Sequence, residues 1–387
     1  MRVLVLDANQ RSALAATRAL GLSGADVVTA DSTERTLAGA SRHARHRLVY
    51  PCPYQTPDAF RARLPAIAGQ AGVDVILPMT EVTTYLVAES RHEYGGIRMP
   101  LADIAAFETL SDKGKLFAAA ARLGVPTPAT LFVERAGDTL DLADSLGYPV
   151  VLKPYRSRIL LPGRWLTTSV RIAASREEVS ALVREDPAFA NHPFLLQAYV
   201  EGEGQGVFTF YGEGHPLAFF AHRRIRERPP WGGVSVLSES VPVNEEMADI
   251  ARKLLGTVEW SGAAMVEFKV SPDGTPYLME INPRFWGSLQ LAIDAGVDFP
   301  TLACRWATGQ PVEPVSAYRH GQRLRWLLGD LDRLYLLLRY GQEGLGQKAR
   351  DALAFFNPGF PGTRYEVNRW GDLAPFWYEL RRYLARS

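Results

Sequence analysis

Apolar positions run in two rhythms over the first quarter of the chain. Arg2-Val-Leu-Val-Leu6 is an apolar run of one buried strand, and Arg11 to Leu20 carries helical spacing. Asp26-Val-Val-Thr-Ala30 is a second strand; Asp74-Val-Ile-Leu77 is a third, ending at Pro78 before a helix through Thr83 to Ala88. This alternation predicts a parallel α/β lobe. Ligands of such lobes gather beyond the carboxyl ends of the strands, which makes Asn9, Arg11 and the turn Pro78-Met79-Thr80-Glu81 candidate substrate contacts. Helix capping and surface solvation are the competing assignment for them. The connection Asp7-Ala-Asn-Gln-Arg-Ser-Ala13 lacks the glycine pattern of a dinucleotide fingerprint, which argues against an oxidoreductase.

Further along, the pattern predicts a helix from Ser111 to Leu123, capped by Ser111 and stopped by Gly124-Val-Pro126-Thr-Pro128. A compact segment follows to about Glu201, with strands Ala129-Thr-Leu-Phe-Val133, Tyr148-Pro-Val-Val-Leu-Lys153 and Phe194-Leu-Leu-Gln197. A third segment has strands at Gly206 to Tyr211 and Leu217 to Arg223 and then a hairpin. After about Pro311 the pattern turns helical, with Leu324 to Leu328 and Leu334 to Leu338, and shows no chemistry. It reads as a C-terminal extension.

Composition narrows the class. The 387 residues are 47% hydrophobic and 22% charged, enough for two or three domains with proper cores. The net charge of +1 gives no reason to expect nucleic acid or an anionic membrane as partner, so a small molecule is expected. Cys52 and Cys304 are too few for a disulfide framework or a zinc site, which fits a reducing compartment. Asp7, Arg11 and Arg18 interrupt any signal-peptide core, and no apolar run approaches the roughly 20 residues of a membrane span. A cytoplasmic location is the expectation.

The chemistry is concentrated in Glu267-Phe-Lys-Val-Ser-Pro-Asp-Gly-Thr-Pro-Tyr-Leu-Met-Glu280-Ile-Asn282-Pro-Arg284. Ser271 to Pro276 is turn chemistry, so a hairpin sets Glu267 beside Glu280 and Asn282. Two carboxylates and an amide suit Mg²⁺, which takes one or two protein carboxylates together with substrate phosphates. Arg284, two residues past Asn282, falls on the same strand face. Lys113 starts a helix and Lys153 ends an apolar strand; a buried ammonium there needs an anion facing it. Gly114-Lys115-Leu116 is no Walker loop, so phosphate binding has to come from separated lysines.

In this order, Asp112-Lys113, Gly124-Val-Pro126, Tyr148 to Lys153, Gln197-Ala-Tyr-Val200-Glu-Gly, Glu267 and Glu280-Ile-Asn282-Pro-Arg284 resemble the ATP-grasp superfamily over about residues 1–300. The chain looks closest to its carboxylate-amine ligases and carbamoyl-phosphate-synthase-like ligases. Ala221-His-Arg-Arg-Ile-Arg-Glu227, Gly232-Gly-Val-Ser235 and Phe285-Trp-Gly-Ser288 are similar to the predicted ATP-dependent carboligases within it. The resemblance implies an α/β and α+β fold. An N-terminal Rossmann-like pre-ATP-grasp domain would cover 1–100 and the ATP-grasp domain 101–310, with a lid subdomain at about 126–201 and a catalytic core; a helical extension fills 311–387.

It also implies roles. Lys113 and Lys153 would contact the α- and β-phosphates of ATP. Gln197, Ala198, Tyr199 and Val200 would read the adenine edge, Met279 and Met265 would line the purine pocket, and Glu203 would hold the ribose, with Glu201 and Gln205 competing. Glu267, Glu280 and Asn282 would bind Mg²⁺, for which Mn²⁺ can substitute. Arg284 would stabilise the transferring phosphoryl, helped by Arg224, Arg226 or Arg223. The loop after the second lysine departs from the glycine-rich pattern of several members, reading Pro154-Tyr-Arg156-Ser-Arg158-Ile-Leu-Leu-Pro-Gly163-Arg164. The implied activity joins a small-molecule carboxylate to an amine through an acylphosphate, releasing ADP and phosphate. A carboxylase or small-molecule kinase on the same fold is the alternative, and a non-catalytic nucleotide-binding module the alternative of another class. The resemblance is compatible with a homodimer.

Overall fold

The structure is a computed structural model that describes residues 1–134, 137, 139–341, 344–356 and 362–385. The predicted α/β lobe is present. Strands β1 (Arg2–Val5), β2 (Asp26–Asp31), β3 (His46–Val49) and β4 (Val75–Leu77) form a parallel sheet in the order β3-β2-β1-β4. Alternation along the strands splits their side chains between two cores. Val3, Val5 and Leu77 pack with α1 (Arg11–Leu22), while Leu4, Leu6 and Ile76 pack with α2 (Pro57–Gln70) and α3 (Glu81–Glu89).

Where a single helix from Ser111 is predicted, two occur. Ser111 closes α4 (Ile104–Ser111), and α5 (Lys113–Arg122) is capped by Asp112, whose carboxylate accepts from the Lys115 amide at 3.1 Å. The capping signal lay one residue further on, and it puts Lys113 at the first helical position.

The second segment holds β5 (Thr130–Val133), α6 (Thr139–Leu146), β6 (Val150–Pro154), β7 (Arg158–Leu161), β8 (Arg164–Thr167), β9 (Arg171–Ala173), α7 (Arg176–Glu185), α8 (Pro187–Asn191) and β10 (Phe194–Ala198). Its antiparallel sheet runs β5-β10-β6-β9 over a small core of its own. The basic stretch after Lys153 is not an open loop: β7 and β8 form a hairpin whose Trp165 meets Tyr85 of the first lobe edge-on at 5.5 Å.

The third segment builds a seven-stranded sheet from β11 (Glu203–Gly212), β12 (His215–Arg228), β13 (Val234–Val241), β14 (Gly262–Val270) and β15 (Pro276–Asn282), with α9 (Glu245–Gly256), α10 (Leu289–Ala295) and α11 (Phe299–Ala307). Helices α4, α5 and α9 cover one face of it; the other face shares its core with α1, α10 and α11. The sheet continues into the C-terminal region, where Arg323–Arg325 is β16 rather than the predicted helix, followed by α12 (Leu327–Tyr340), α13 (Leu345–Phe356), β17 (Thr363–Tyr365) and α14 (Ala374–Leu384).

That region is more than an appendage. Buried Arg18 of α1 pairs with Asp372 at 2.7 Å and donates to the carbonyls of Glu366, Val367 and Asp372. Arg369 grips Asp294 of α10 with two hydrogen bonds of 2.9 and 2.5 Å. Residues 366–372 thus strap the first lobe to the large sheet. No helix among the described residues is long and apolar enough to cross a membrane.

Candidate active site

The predicted hairpin forms, and its turn is built as its residues dictate. The Asp273 carboxylate accepts from Ser271 Oγ at 2.5 Å and from the Thr275 amide at 3.1 Å, while Gly274 takes a left-handed φ of +91°. In the resulting register Glu267 faces Glu280 across β14 and β15. Asn282 completes the group: its Nδ2 donates to Glu267 Oε1 at 3.0 Å and to Glu280 Oε1 at 2.9 Å. Arg284 Nη2 donates to Asn282 Oδ1 at 3.2 Å. Glu267, Glu280, Asn282 and Arg284 line one cavity of about 320 Å³, with Arg11, Arg224, His222, Met265, Trp286 and Ser288 around them.

Two lysines approach the carboxylates from different bodies. Lys113, at the start of α5, lies 3.1 Å from Glu280 Oε2 and donates to Ser157 Oγ at 3.1 Å. Lys153, on β6, donates to the Met279 carbonyl at 3.2 Å, and its ammonium sits 5.7 Å from the Phe117 ring centre. What joins the two bodies is the Lys113 amide, which donates to the Tyr155 carbonyl at 2.7 Å, beside Gly114. A Cβ on Gly114 would come within 2.5 Å of the Tyr155 ring, so the glycine is required by that close approach rather than by phosphate.

The electrostatics follow from burial and pairing. Burial lowers the pKa of Lys113, but Glu280 and two further carboxylates outweigh it and the net shift is upward. Lys153 is buried without an ion-pair partner among the described residues; burial brings it down to about 8, with Glu280 opposing and Lys113 adding to the fall. Glu280 is desolvated, yet the two lysines hold it down at about 2. Glu267 is pushed up by burial and by Glu280 beside it, against the Arg224 guanidinium at 2.5 Å. Two carboxylates and one amide meeting at a point fit a hard divalent cation that takes its remaining ligands from phosphate or water. The Asn282 amide now donates to both carboxylates and its oxygen accepts from Arg284, so Asn282 would have to turn, giving up these bonds, to offer its oxygen to such an ion.

Of the three candidate arginines, only Arg224 reaches the cavity, paired with Glu267 and with Glu227 at 3.0 Å. Arg223 turns to Glu239 at 2.7 Å. Arg226 is not brought to the site: it pairs with buried Asp330 at 2.8 Å and donates to the Ala354 carbonyl. Simple alternation would put Arg226 on the face of Arg224, but the register shifts on both sides of it, between Arg224 and Arg226 and between Arg226 and Glu227.

The adenine-side residues are placed less simply. The Gln197 side chain is buried in the sheet of the second segment, donating to Thr130 Oγ1 at 2.9 Å, so it does not face the cavity. The Ala198 amide donates to the Ala129 carbonyl, and the Val200 carbonyl accepts from Lys269, whose ammonium also lies 4.7 Å from the centre of the Tyr199 ring. Glu203 is exposed, and alternation along β11 sets it on the face opposite Gly206, the cross-strand partner of Glu267. Neither Glu203 nor its competitors Glu201 and Gln205 line the cavity.

Arg11 lines the cavity as anticipated for the end of β1, held by an ion pair to Glu366. Thr80 and Met79 instead serve the fold, their amides donating to the Asp7 carboxylate at 2.9 Å. Residue-level reading missed His222 and Ser288, joined at 2.8 Å between Nε2 and Oγ on the cavity wall. Burial and Arg224 press His222 down to about 3, so the ring is neutral at pH 7. The signal was available, since His222 and Arg224 are two apart on one strand and share a face.

Comparison with known proteins agrees with this architecture. Residues 190–329 match the family model described as ATP-grasp in the biosynthetic pathway with Ter operon. The carbamoyl phosphate synthase large chain of Methanothermobacter thermautotrophicus is 23% identical over 273 residues, which are 67% of this chain and 24% of that protein. The chain thus spans about a quarter of the length of this curated relative. Among solved structures, N5-carboxyaminoimidazole synthetase from Staphylococcus aureus superposes with a TM-score of 0.67 at 15% identity, covering 92% of this chain and 97% of that one. The L-amino acid ligase from Bacillus licheniformis gives 0.62 at 16% identity, covering 81% and 75%. The chain has the ATP-grasp fold, and its sequence resembles the ATP-grasp superfamily.

Proposed function

We propose that the protein is an ATP-dependent ligase that activates a small-molecule carboxylate as an acylphosphate and joins it to an amine, releasing ADP and phosphate. The observation that carries this reading is the convergence of Glu267, Glu280 and Asn282 with Arg224 and Arg284 in one cavity, with Lys113 3.1 Å from Glu280 and Lys153 bonded to the Met279 carbonyl on the same strand. Glu267, Glu280 and Asn282 would hold Mg²⁺. When bound with ATP, the ion supplies charge neutralisation at the transferring phosphoryl.

The residues themselves do the positioning. Lys113 and Lys153 bind phosphate oxygens from two sides, and Met279 with the Ala198–Val200 linker borders the base. Arg284, anchored by donation to the Phe285 carbonyl at 2.7 Å, and Arg224 present guanidinium groups to the phosphoryl and to the oxyanion formed when the amine attacks. Such chemistry needs no protein nucleophile.

A screen of carboxylate and amine pairs for phosphate release tests the reading. Ligation predicts ADP and free phosphate in equal amounts only when both partners are present. Phosphate retained on the product would mark a kinase, and absence of any turnover with bound nucleotide a binding module; either outcome sinks the ligase.

Lys153 makes a separate prediction. With its pKa near 8 in the free protein, it is part-neutral at that pH, and a phosphate beside it restores the charge. Nucleotide binding at pH 8 is therefore expected to take up about half a proton, rising towards one at higher pH, and affinity to fall about tenfold per pH unit well above 8. Calorimetry in two buffers of different ionisation enthalpy measures this directly. Identical heats in both buffers, or the same proton uptake by Lys153→Met, would show that the lysine is not involved.

A further inference from the structure

A second cavity, of about 840 Å³, opens on the other side of Arg11, between the β1–α1 connection and helices α12 and α14. Most of the charges in its wall are matched. The Trp326 ring has Arg11 3.9 Å and Arg228 5.5 Å from its centre, and its Nε1 donates to Glu379 Oε1 at 2.8 Å. Arg11 is paired with Glu366, and Arg228 with Asp332 at 2.8 Å.

Two charges are left over, and they are neighbours. Arg382 donates to Asn9 Oδ1 at 3.0 Å and to the Tyr378 hydroxyl at 3.1 Å, both neutral, and meets no carboxylate among the described residues. Glu379 accepts from Trp326 and forms no ion pair among the described residues. Three positions apart on α14, they stand on one helix face about 5–6 Å apart at Cβ. They do not pair with each other. Across the cleft Tyr335 leaves 59% of its surface exposed.

A guanidinium and a part-buried, Trp326-bound carboxylate that stand side by side, neither in an ion pair among the described residues, match a ligand that carries an anion and a cation on adjacent atoms. A bare tyrosine ring matches a flat apolar body. We propose that this cavity binds an α-amino acid with an aromatic side chain, its carboxylate on Arg382, its ammonium on Glu379 and its ring against Tyr335. Because Arg11 lines both cavities, the bound amino acid lies next to the phosphoryl-transfer site, as one of the two substrates of the ligase proposed above. Only the word substrate rests on that reading; the binding itself does not.

Calorimetry on the full chain without nucleotide tests the site, using L-tryptophan, tryptamine, which lacks the carboxylate, and indole-3-propionate, which lacks the amine. L-Tryptophan is expected to bind, with each analogue weaker by at least about tenfold. Arg382→Leu, on an exposed side chain, and Glu379→Gln are each expected to weaken L-tryptophan by a similar factor with an unchanged melting temperature. The site is refuted if L-tryptophan and L-phenylalanine both fail to bind at millimolar concentration, if either analogue binds as well as L-tryptophan, or if Arg382→Leu binds unchanged. Binding without any ligation product leaves the site standing and removes the ligase instead.

Discussion

Glu280→Ala is expected to lower substrate-dependent ADP release by roughly 10²–10³-fold, the scale on which one preorganised charge-stabilising group acts. Three losses coincide at this position. The hard oxygen ligand proposed for Mg²⁺ disappears from beside Glu267 and Asn282. Lys113 loses the carboxylate 3.1 Å away whose attraction, with that of two others, outweighs its burial, so its pKa falls from its raised position. Lys153, already brought down to about 8, loses the group that opposes its burial. Glu280→Gln keeps the shape and separates the loss of charge from the loss of packing. Because Glu280 is held at about 2, it stays ionised throughout the working range and should add no acidic limb to the pH–rate profile. Steady-state rates measured against Mg²⁺ concentration check the assignment; an unaltered rate and an unaltered metal dependence in Glu280→Ala would remove it.

The second large effect is on stability. Arg18→Met is expected to cost about 3–5 kcal/mol, as breaking one side of a buried ion pair does. Arg18 is only 5% exposed, and its removal strands the Asp372 carboxylate together with carbonyls of Glu366, Val367 and Asp372. Ser41 Oγ and the Arg42 amide still hold Asp372, which places the loss nearer the lower figure. The first transition of a urea titration measures it. A change within about 0.5 kcal/mol, the range of an ordinary surface substitution, would mean that residues 366–372 do not strap the first lobe to the sheet.

The meeting of Glu267, Glu280 and Asn282 was readable because its information is local: turn residues between two apolar runs set the register, and the register sets which carboxylates meet. The lysines were readable for a related reason, since Lys113 opens and Lys153 lies near the close of an element that buries its apolar neighbours. What could not be read depends on breaks in periodicity or on distant partners. Arg226 is displaced by shifts of register that no spacing announces. Gln197 sits at a strand position whose direction is settled by Thr130, 67 residues away. The three residues of β16 are too short a run to show strand alternation against the helix that follows. The ion pairs of the C-terminal region span more than 300 residues from Arg11 and Arg18, beyond any local pattern.

The two lysines and two arginines around Glu267 and Glu280 have a consequence for the order of binding. Four cations against Glu267, Glu280 and Glu227, the last of which shares Arg224, leave the cleft a surplus of about one positive charge, with His222 neutral. On the proposed reading, a free nucleoside triphosphate brings about four negative charges and would far overfill that surplus; its complex with one divalent ion brings about two and comes much closer to balancing it. The resting charge of the cleft therefore favours entry of the nucleotide and its ion together, as a preformed pair, over an ion that waits in place for the nucleotide.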